Sequence, residues 1–159
     1  MNFTAIDFET SQGKKYSICQ VGLIRVEGGV VTDEVNLLVK PPHNFYWDKF
    51  IDIHGITPEM TKNQPNFAQI WDEIAQYIEG QKVVAHNGLA FDFHCIDEAL
   101  AYYEINKPEY IKHDTYRIYK KSLGTLCDEH HISLNHHDAL SDARACALLF
   151  IKHLKNQHG

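Results

Sequence analysis

The sequence contains no CxxC pair, no apolar run of bilayer-spanning length, no internal repeat and no excess of positive charge. Its four cysteines, Cys19, Cys95, Cys127 and Cys146, are scattered, which excludes the ordered ligand spacing of a zinc ribbon and the dithiol of a thioredoxin-like site. They read as reduced core thiols of a cytoplasmic protein. Without a run of ~18 to 20 apolar residues there is no membrane span to predict, and the opening MNFTAIDFETS lacks both the basic n-region and the small-residue cleavage site of a signal peptide. A soluble, unexported protein with no membrane partner is expected. With 15 Lys and Arg against 21 Asp and Glu, a formal charge of −6, the chain is unlike one that coats nucleic acid through a broad basic face. An enzyme that gathers its carboxylates in one place remains open.

What is present fits one globular domain, residues 1–159, long enough to bury a single core. FTAIDF at 3–8 is a short apolar run. Residues 19–26 and 30–39 are β-branched-rich runs joined by Glu27-Gly28-Gly29, a hairpin pattern. Residues 40–50, with Pro41-Pro42 and Phe45, Tyr46 and Trp47, read as loop. Thr57-Pro58-Glu59 fits a short helix with Thr57 as N-cap and proline at the first position. Phe67, Ile70, Trp71, Ile74 and Ile78 recur at helical spacing behind an Asn66 and Gln69 capping-box pattern, with Gly80 as the stop. A short buried strand over 83–85, a helix over about 91–103, a strand at 110–112, two short helical stretches and a helix over about 139–154 follow. Strands first, then strands alternating with helices, imply an α/β domain with a mixed central sheet flanked by helices.

Four acids stand out against this frame. Asp7 and Glu9 lie two apart where the first strand ends, so they share a face ~6.6 Å apart along it, while Phe8 faces the opposite layer. Such a pair can bracket two divalent cations ~3.5 to 4 Å apart; alone, an acid-x-acid triplet at a strand edge is more often a solvated strand end. Asp92 falls within the apolar stripe defined by Ile96, Ala99, Leu100 and Tyr103. A carboxylate there is costly unless paired, hydrogen-bonded or bound to a cation, though capping the first helical turn is also open to it. Asp142 sits at the edge of the buried face formed by Ala143, Ala147, Phe150, Ile151 and Leu154, one turn in from a predicted N-cap, Asp138, with His137 just before. The H-x4-D spacing alone is uninformative in a chain with 11 histidines. The composite of strand acids, helix acids and histidine carries the signal.

FTAIDFETS at the start, HGIT at 54–57, VVAHNGLAFD at 83–92 and HHDALSDARA at 136–145 together resemble the DEDDh 3′→5′ exonucleases, the DnaQ-like group that includes the proofreading subunit of bacterial DNA polymerase III. The motifs occur in that family's order and cover nearly the whole chain. By this resemblance Asp7, Glu9, Asp92 and Asp142 take the four acidic positions and His137 the histidine. Two departures from the pattern matter. Three residues separate Asn87 from Phe91 where many DnaQ-like proteins have two, and the chain ends soon after the last helix, so no C-terminal polymerase-binding tail is expected.

The resemblance implies a ribonuclease H-like fold and a metal-dependent exonuclease releasing nucleoside 5′-monophosphates from nucleic acid with a free 3′ end. Single-stranded DNA is the expected substrate, and replication or repair proteins are the expected partners. Four carboxylates carry a charge that two Mg²⁺ or Mn²⁺ ions would neutralise, and hard oxygen ligands suit those ions rather than zinc. His137 is the expected general base. The main chain around Phe8 and Thr10, with His54 and Asn87, is expected to contact the terminal nucleotide. A non-catalytic nucleic-acid or replisome-binding module and an RNA-directed exoribonuclease are the alternatives. Cys127, His130, His131, His136 and His137 form a loose zinc-like group without an ordered ligand scheme. Arg117, Lys120 and Lys121 fall on one side of a short helix, open to both solvent and phosphate. Phe45, Tyr46 and Trp47 suit either base stacking or packing over the sheet.

Overall fold

The structure is a computed structural model describing residues 1–158. Its frame is a five-stranded sheet in the order β3-β2-β1-β4-β5, built from β1 (Phe3–Thr10), β2 (Ile18–Glu27), β3 (Val30–Leu38), β4 (Lys82–Ala85) and β5 (Ile111–Asp114). β1, β2 and β3 pair antiparallel, whereas β4 runs parallel to β1 and β5 parallel to β4. Gly28 and Gly29, with φ of 59° and 78°, close the β2–β3 hairpin in the left-handed backbone that such a two-residue turn needs.

The helices are α1 (Asp48–His54), α2 (Pro58–Thr61), α3 (Phe67–Ala75), α4 (Asp92–Tyr102), α5 (Thr115–Tyr119), α6 (Leu123–His130) and α7 (Ala139–His158). α3 opens on the expected capping box, Asn66 and Gln69 each bonding the other's main chain. It ends at Ala75, earlier than its apolar spacing predicts, and irregular turns carry the buried Ile78 to Gly80. α1 occupies residues read from the sequence as partly loop. Its N-cap, Trp47, makes no side-chain capping bond, so the usual start signal is missing. Thr57 likewise precedes α2 without a side-chain cap. Among the described residues no helix is long and apolar enough to cross a membrane.

Period-two alternation in β1 divides the core between the two faces of the sheet. Ile6 and Phe8 pack with Ile70 and Trp71 of α3 and Phe93 and Ile96 of α4. Phe3 and Ala5, on the other face, pack with Ala143, Ala147 and Phe150 of α7. All four cysteines are free and buried.

Two local features set α7 against the sheet. Gly22 lies opposite Asp7 in the β1–β2 ladder, and a Cβ there would stand 2.4 Å from the Ala139 main chain, so only glycine allows the start of α7 to lie on β2. Beside it, Gln20 donates from Nε2 to Asp138 Oδ1 at 3.1 Å and accepts the Ala139 N–H at 3.1 Å. Asp138 in turn accepts the Ser141 N–H on Oδ2, the N-cap role expected of it.

Candidate active site

The β1–β4 pairing covers only Thr4 with Val83 and Ala5 with Val84. Beyond Ala5 the two parallel strands part, which opens a crevice at their carboxyl ends, where ligands of open α/β sheets bind. Asp7 and Glu9 reach the crevice from the β1 face covered by α7. Asp142, in the first turn of that helix, meets them there: one ligating oxygen from each of the three lies within 4.8 Å of the others. Asp92 comes from the opposite layer. It is buried at the first position of α4, and its Oδ1 accepts the Phe8 N–H at 3.1 Å. The capping alternative does not describe it, because Phe91 is the N-cap and the carboxylate bonds β1.

The electrostatics are those of like charges held out of water. Burial, then the charges of Asp92, Asp142, Glu9 and Asp138, holds the Asp7 carboxyl well above its usual range. Burial, with Asp142, Asp92 and Asp138, lifts Glu9 to about 8. Burial also raises Asp92, against the pull of the Phe8 N–H, and raises Asp142, against that of His136. Asp7 Oδ2 and Asp142 Oδ1 are buried without a hydrogen-bond partner. The nearest imidazole nitrogen to the latter, His136 Nδ1, is 3.5 Å away.

His137 has a left-handed backbone, φ 66°, and its ring lies on that of His136 with centroids 3.8 Å apart. Burial, then His136 and His54, lowers its pKa. His136, His137 and Asp142 also offer ligating atoms within 4.8 Å of one another. His54 is engaged at both nitrogens: Nδ1 accepts the Ile56 N–H at 3.0 Å, so Nε2 carries the hydrogen donated to the Thr10 carbonyl at 2.9 Å. With the Phe8 N–H held by Asp92 and the Thr10 carbonyl by His54, these main-chain groups shape the crevice. A cavity of about 200 Å³ lined by Glu9, Thr10, Phe50, Ile53, His54 and Phe91 adjoins the carboxylates. A second, of about 300 Å³, includes Asp7, Asn87, Tyr116, His136 and Asp142 in its walls.

Asn87 owes its place to a residue that sequence reasoning passed over. Asp114, buried at the end of β5, accepts the N–H groups of Asn87 (2.8 Å), Leu89 (3.1 Å) and Tyr116 (2.9 Å). It thereby ties the 86–91 turn, with its left-handed Asn87 (φ 63°), to the start of α5. His86 adds bonds to Thr115 Oγ1 and the Lys121 carbonyl. The loose zinc-like group does not assemble among the described residues: Cys127 is buried with Leu126 and Leu149, and His130 Nδ1 lies 3.2 Å from Lys152 Nζ. Of the aromatic triplet, Tyr46 is buried and bonds Thr61, while Phe45 and Trp47 remain exposed.

The family model described as Exonuclease matches residues 4–150. The DNA polymerase III PolC-type protein of Thermotoga maritima is 29% identical over 163 residues, covering 94% of this chain but 12% of that protein's length. The DNA polymerase III subunit epsilon of Aquifex aeolicus is 26% identical over 164 residues, covering 96% of this chain and 80% of the subunit. This chain thus spans about a tenth of the PolC-type relatives it matches. Among solved structures, exonuclease X in complex with 5′-overhanging duplex DNA superposes with a TM-score of 0.76 at 22% identity, over 99% of this chain and 93% of that one. The shared architecture is the ribonuclease H-like α/β fold.

Proposed function

Because the chain belongs to the Exonuclease family, whose model spans residues 4–150, we propose that it is a divalent-metal-dependent 3′→5′ exonuclease. In this reading, a single domain removes nucleoside 5′-monophosphates from a nucleic-acid strand with a free 3′ end. The observation that carries the reading is the meeting of Asp7, Glu9 and Asp142 within 4.8 Å, with buried Asp92 clamped to the strand between the first two.

The donor set fits a pair of hard cations. Among the described residues no Lys or Arg lies within 4.0 Å of any of the four carboxylates, and two of their buried oxygens have no hydrogen-bond partner. Carboxylate oxygens select Mg²⁺ or Mn²⁺ over softer ions. Asp7, Glu9, Asp92 and Asp142 would hold two such ions, which when bound lower the pKa of a water and stabilise charge on the departing 3′ oxygen.

The chain's own residues supply the remainder. His137, kept neutral by its lowered pKa, takes the proton from the attacking water at a ring nitrogen. The His54 bond to the Thr10 carbonyl shapes the cavity that receives the terminal nucleoside, where Phe50, Ile53 and Phe91 exclude water from its base. Asn87, in the wall of the cavity that includes Asp7 and Asp142, would meet the strand upstream of the scissile bond. The DNA polymerase III names of the relatives favour DNA over RNA, and replication or repair proteins are the partners this reading implies. Four free, buried thiols suit the reducing cytoplasm.

The test is digestion of end-labelled single-stranded DNA, duplex DNA and short RNA with Mg²⁺ or Mn²⁺. Shortening from the 3′ end, fastest on single-stranded DNA, is expected. Stoichiometric binding of all three without cleavage would identify a binding module instead.

A further inference from the structure

A trough leads away from the carboxylates over α5. The cavity that contains Asp7 and Asp142 shares Asn87 and Tyr116 with another, of about 430 Å³, completed by Arg117 and Lys120. We propose that this trough is a second nucleotide subsite, in which Tyr116 stacks on the base upstream of the scissile bond while Arg117 and Lys120 neutralise the next phosphate. The substrate class it selects is a strand at least two nucleotides long, entering over α5. The proposal rests on the exonuclease reading.

Three observations support it. Tyr116 is a large ring left 44% exposed, yet it is held in place: its main-chain N–H is bound by Asp114, and its ring meets His86 edge to face at 5.7 Å and 84°. His86 is itself fixed at both nitrogens. A preset aromatic face beside an active centre lowers the ordering cost of stacking a base.

The cations form the second observation. The basic triplet divides in the structure. Lys121 turns to Glu129, with Nζ 2.8 Å and 3.0 Å from its two carboxylate oxygens. Among the described residues, Arg117 and Lys120 have no carboxylate within 4.0 Å, although the chain carries six more acids than Lys and Arg. The two unpaired cations line the cavity contiguous with the carboxylates.

The third is backbone geometry. Lys120 ends α5 in the left-handed conformation, φ 59°, with its N–H on the Tyr116 carbonyl at 2.7 Å. This tight turn keeps Lys120 close to Tyr116 and sends Lys121 the other way.

Two substrates separate this subsite from the reading beneath it. The methyl ester of thymidine 5′-monophosphate has no upstream nucleoside and no ring on the leaving-group side, so its hydrolysis reports the carboxylate centre without the trough; a dT oligonucleotide engages both. With Mn²⁺ present, Tyr116→Ala should raise the oligonucleotide KM roughly 5- to 100-fold. Arg117→Ala with Lys120→Ala should make the salt dependence of log KM shallower by about 0.7. Ester turnover should change much less than oligonucleotide KM in both. Lys121→Ala, which removes the same charge one residue away, should leave oligonucleotide KM within about twofold, because that ammonium is already paired. Oligonucleotide kinetics unchanged in the Tyr116 and Arg117/Lys120 variants, or equal losses in Lys121→Ala, would overturn the subsite while ester hydrolysis left the exonuclease reading standing. If the wild-type protein hydrolyses neither substrate, both fall together.

Discussion

The Phe8 N–H donates to Asp92 Oδ1 at 3.1 Å, so the acid that opens α4 is fastened to the residue separating Asp7 from Glu9. Beyond Ala5 the β1–β4 pairing has stopped, and Asp92 supplies an acceptor where a neighbouring strand would otherwise stand. One bond therefore satisfies a strand donor and draws a carboxylate from one layer of the fold toward those presented on the other.

Substitutions at Asp92 should separate these two roles. Asp92→Asn keeps an acceptor for Phe8 and removes the charge, whereas Asp92→Ala strands a buried N–H. Both should be inactive, and in chelator the alanine variant should be less stable than the asparagine variant by about 1 to 3 kcal/mol. Urea denaturation of the two proteins in EDTA measures the difference; equal midpoints would show that the bond contributes nothing.

The raised carboxyls dictate an unusual pH dependence for the metal-free protein. Glu9 holds its proton to about 8 when folded and gives it up near ~4.3 when unfolded, so over that interval the folded state binds more protons. Its contribution to stability is fully present below ~4.3 and is lost as pH rises through about 8. Asp7 and Asp92, raised by the same burial, act in the same direction. Thermal melts in EDTA should show Tm falling between pH 5.5 and 8.5, and added Mn²⁺ should raise Tm more at the upper pH than at the lower. A Tm that climbs across this range without metal would contradict the assignment.

His137→Ala should slow hydrolysis by roughly 10²- to 10⁴-fold while divalent-ion binding, followed by calorimetry, stays close to wild type. The acidic limb of the pH–rate profile should disappear with it. Loss of metal affinity in this variant would make His137 a ligand rather than the base.

Long-range attraction of the strand should be weak. Two bound divalent cations bring a charge of −6 to about −2, and Arg117 and Lys120 offer only two cations without an acidic partner among the described residues lining the trough. Anisotropy of a labelled single strand on an inactive Asp7→Asn variant should give a slope of log K against log salt no steeper than about −2, with little gain beyond a few nucleotides. A slope near −5 would reveal an extended cationic groove.

The elements legible in the sequence were those with a local cause: the Gly28-Gly29 hairpin, the Asn66 and Gln69 capping box, and the apolar stripes of α3, α4 and α7. α1 escaped because Trp47 offers no capping side chain and the preceding Pro41-Pro42 reads as loop. Asp7, Glu9, Asp92 and Asp142 were identifiable through their positions and their motifs, and Asp7, Glu9 and Asp142 meet at the crevice. The residues that support them were harder to see, because their partners are distant in sequence. Gln20 reaches Asp138 and Ala139 across more than 100 residues, and Asp114 binds a turn about 25 residues earlier. A signal existed for both: a glutamine inside the apolar run of β2 and an acid at a buried strand end each require a partner.

Whether the clustered carboxylates act through two divalent cations is decided by a metal titration of turnover. A 5′-labelled dT oligonucleotide is incubated with the wild-type protein and with Asp7→Asn over rising Mn²⁺, starting in excess EDTA. Two-metal catalysis requires no cleavage in EDTA, a rise with metal steeper than first order, products shortened from the 3′ end, and no turnover by Asp7→Asn at any concentration. Sustained cleavage in excess EDTA, or near-normal turnover by Asp7→Asn, would contradict it.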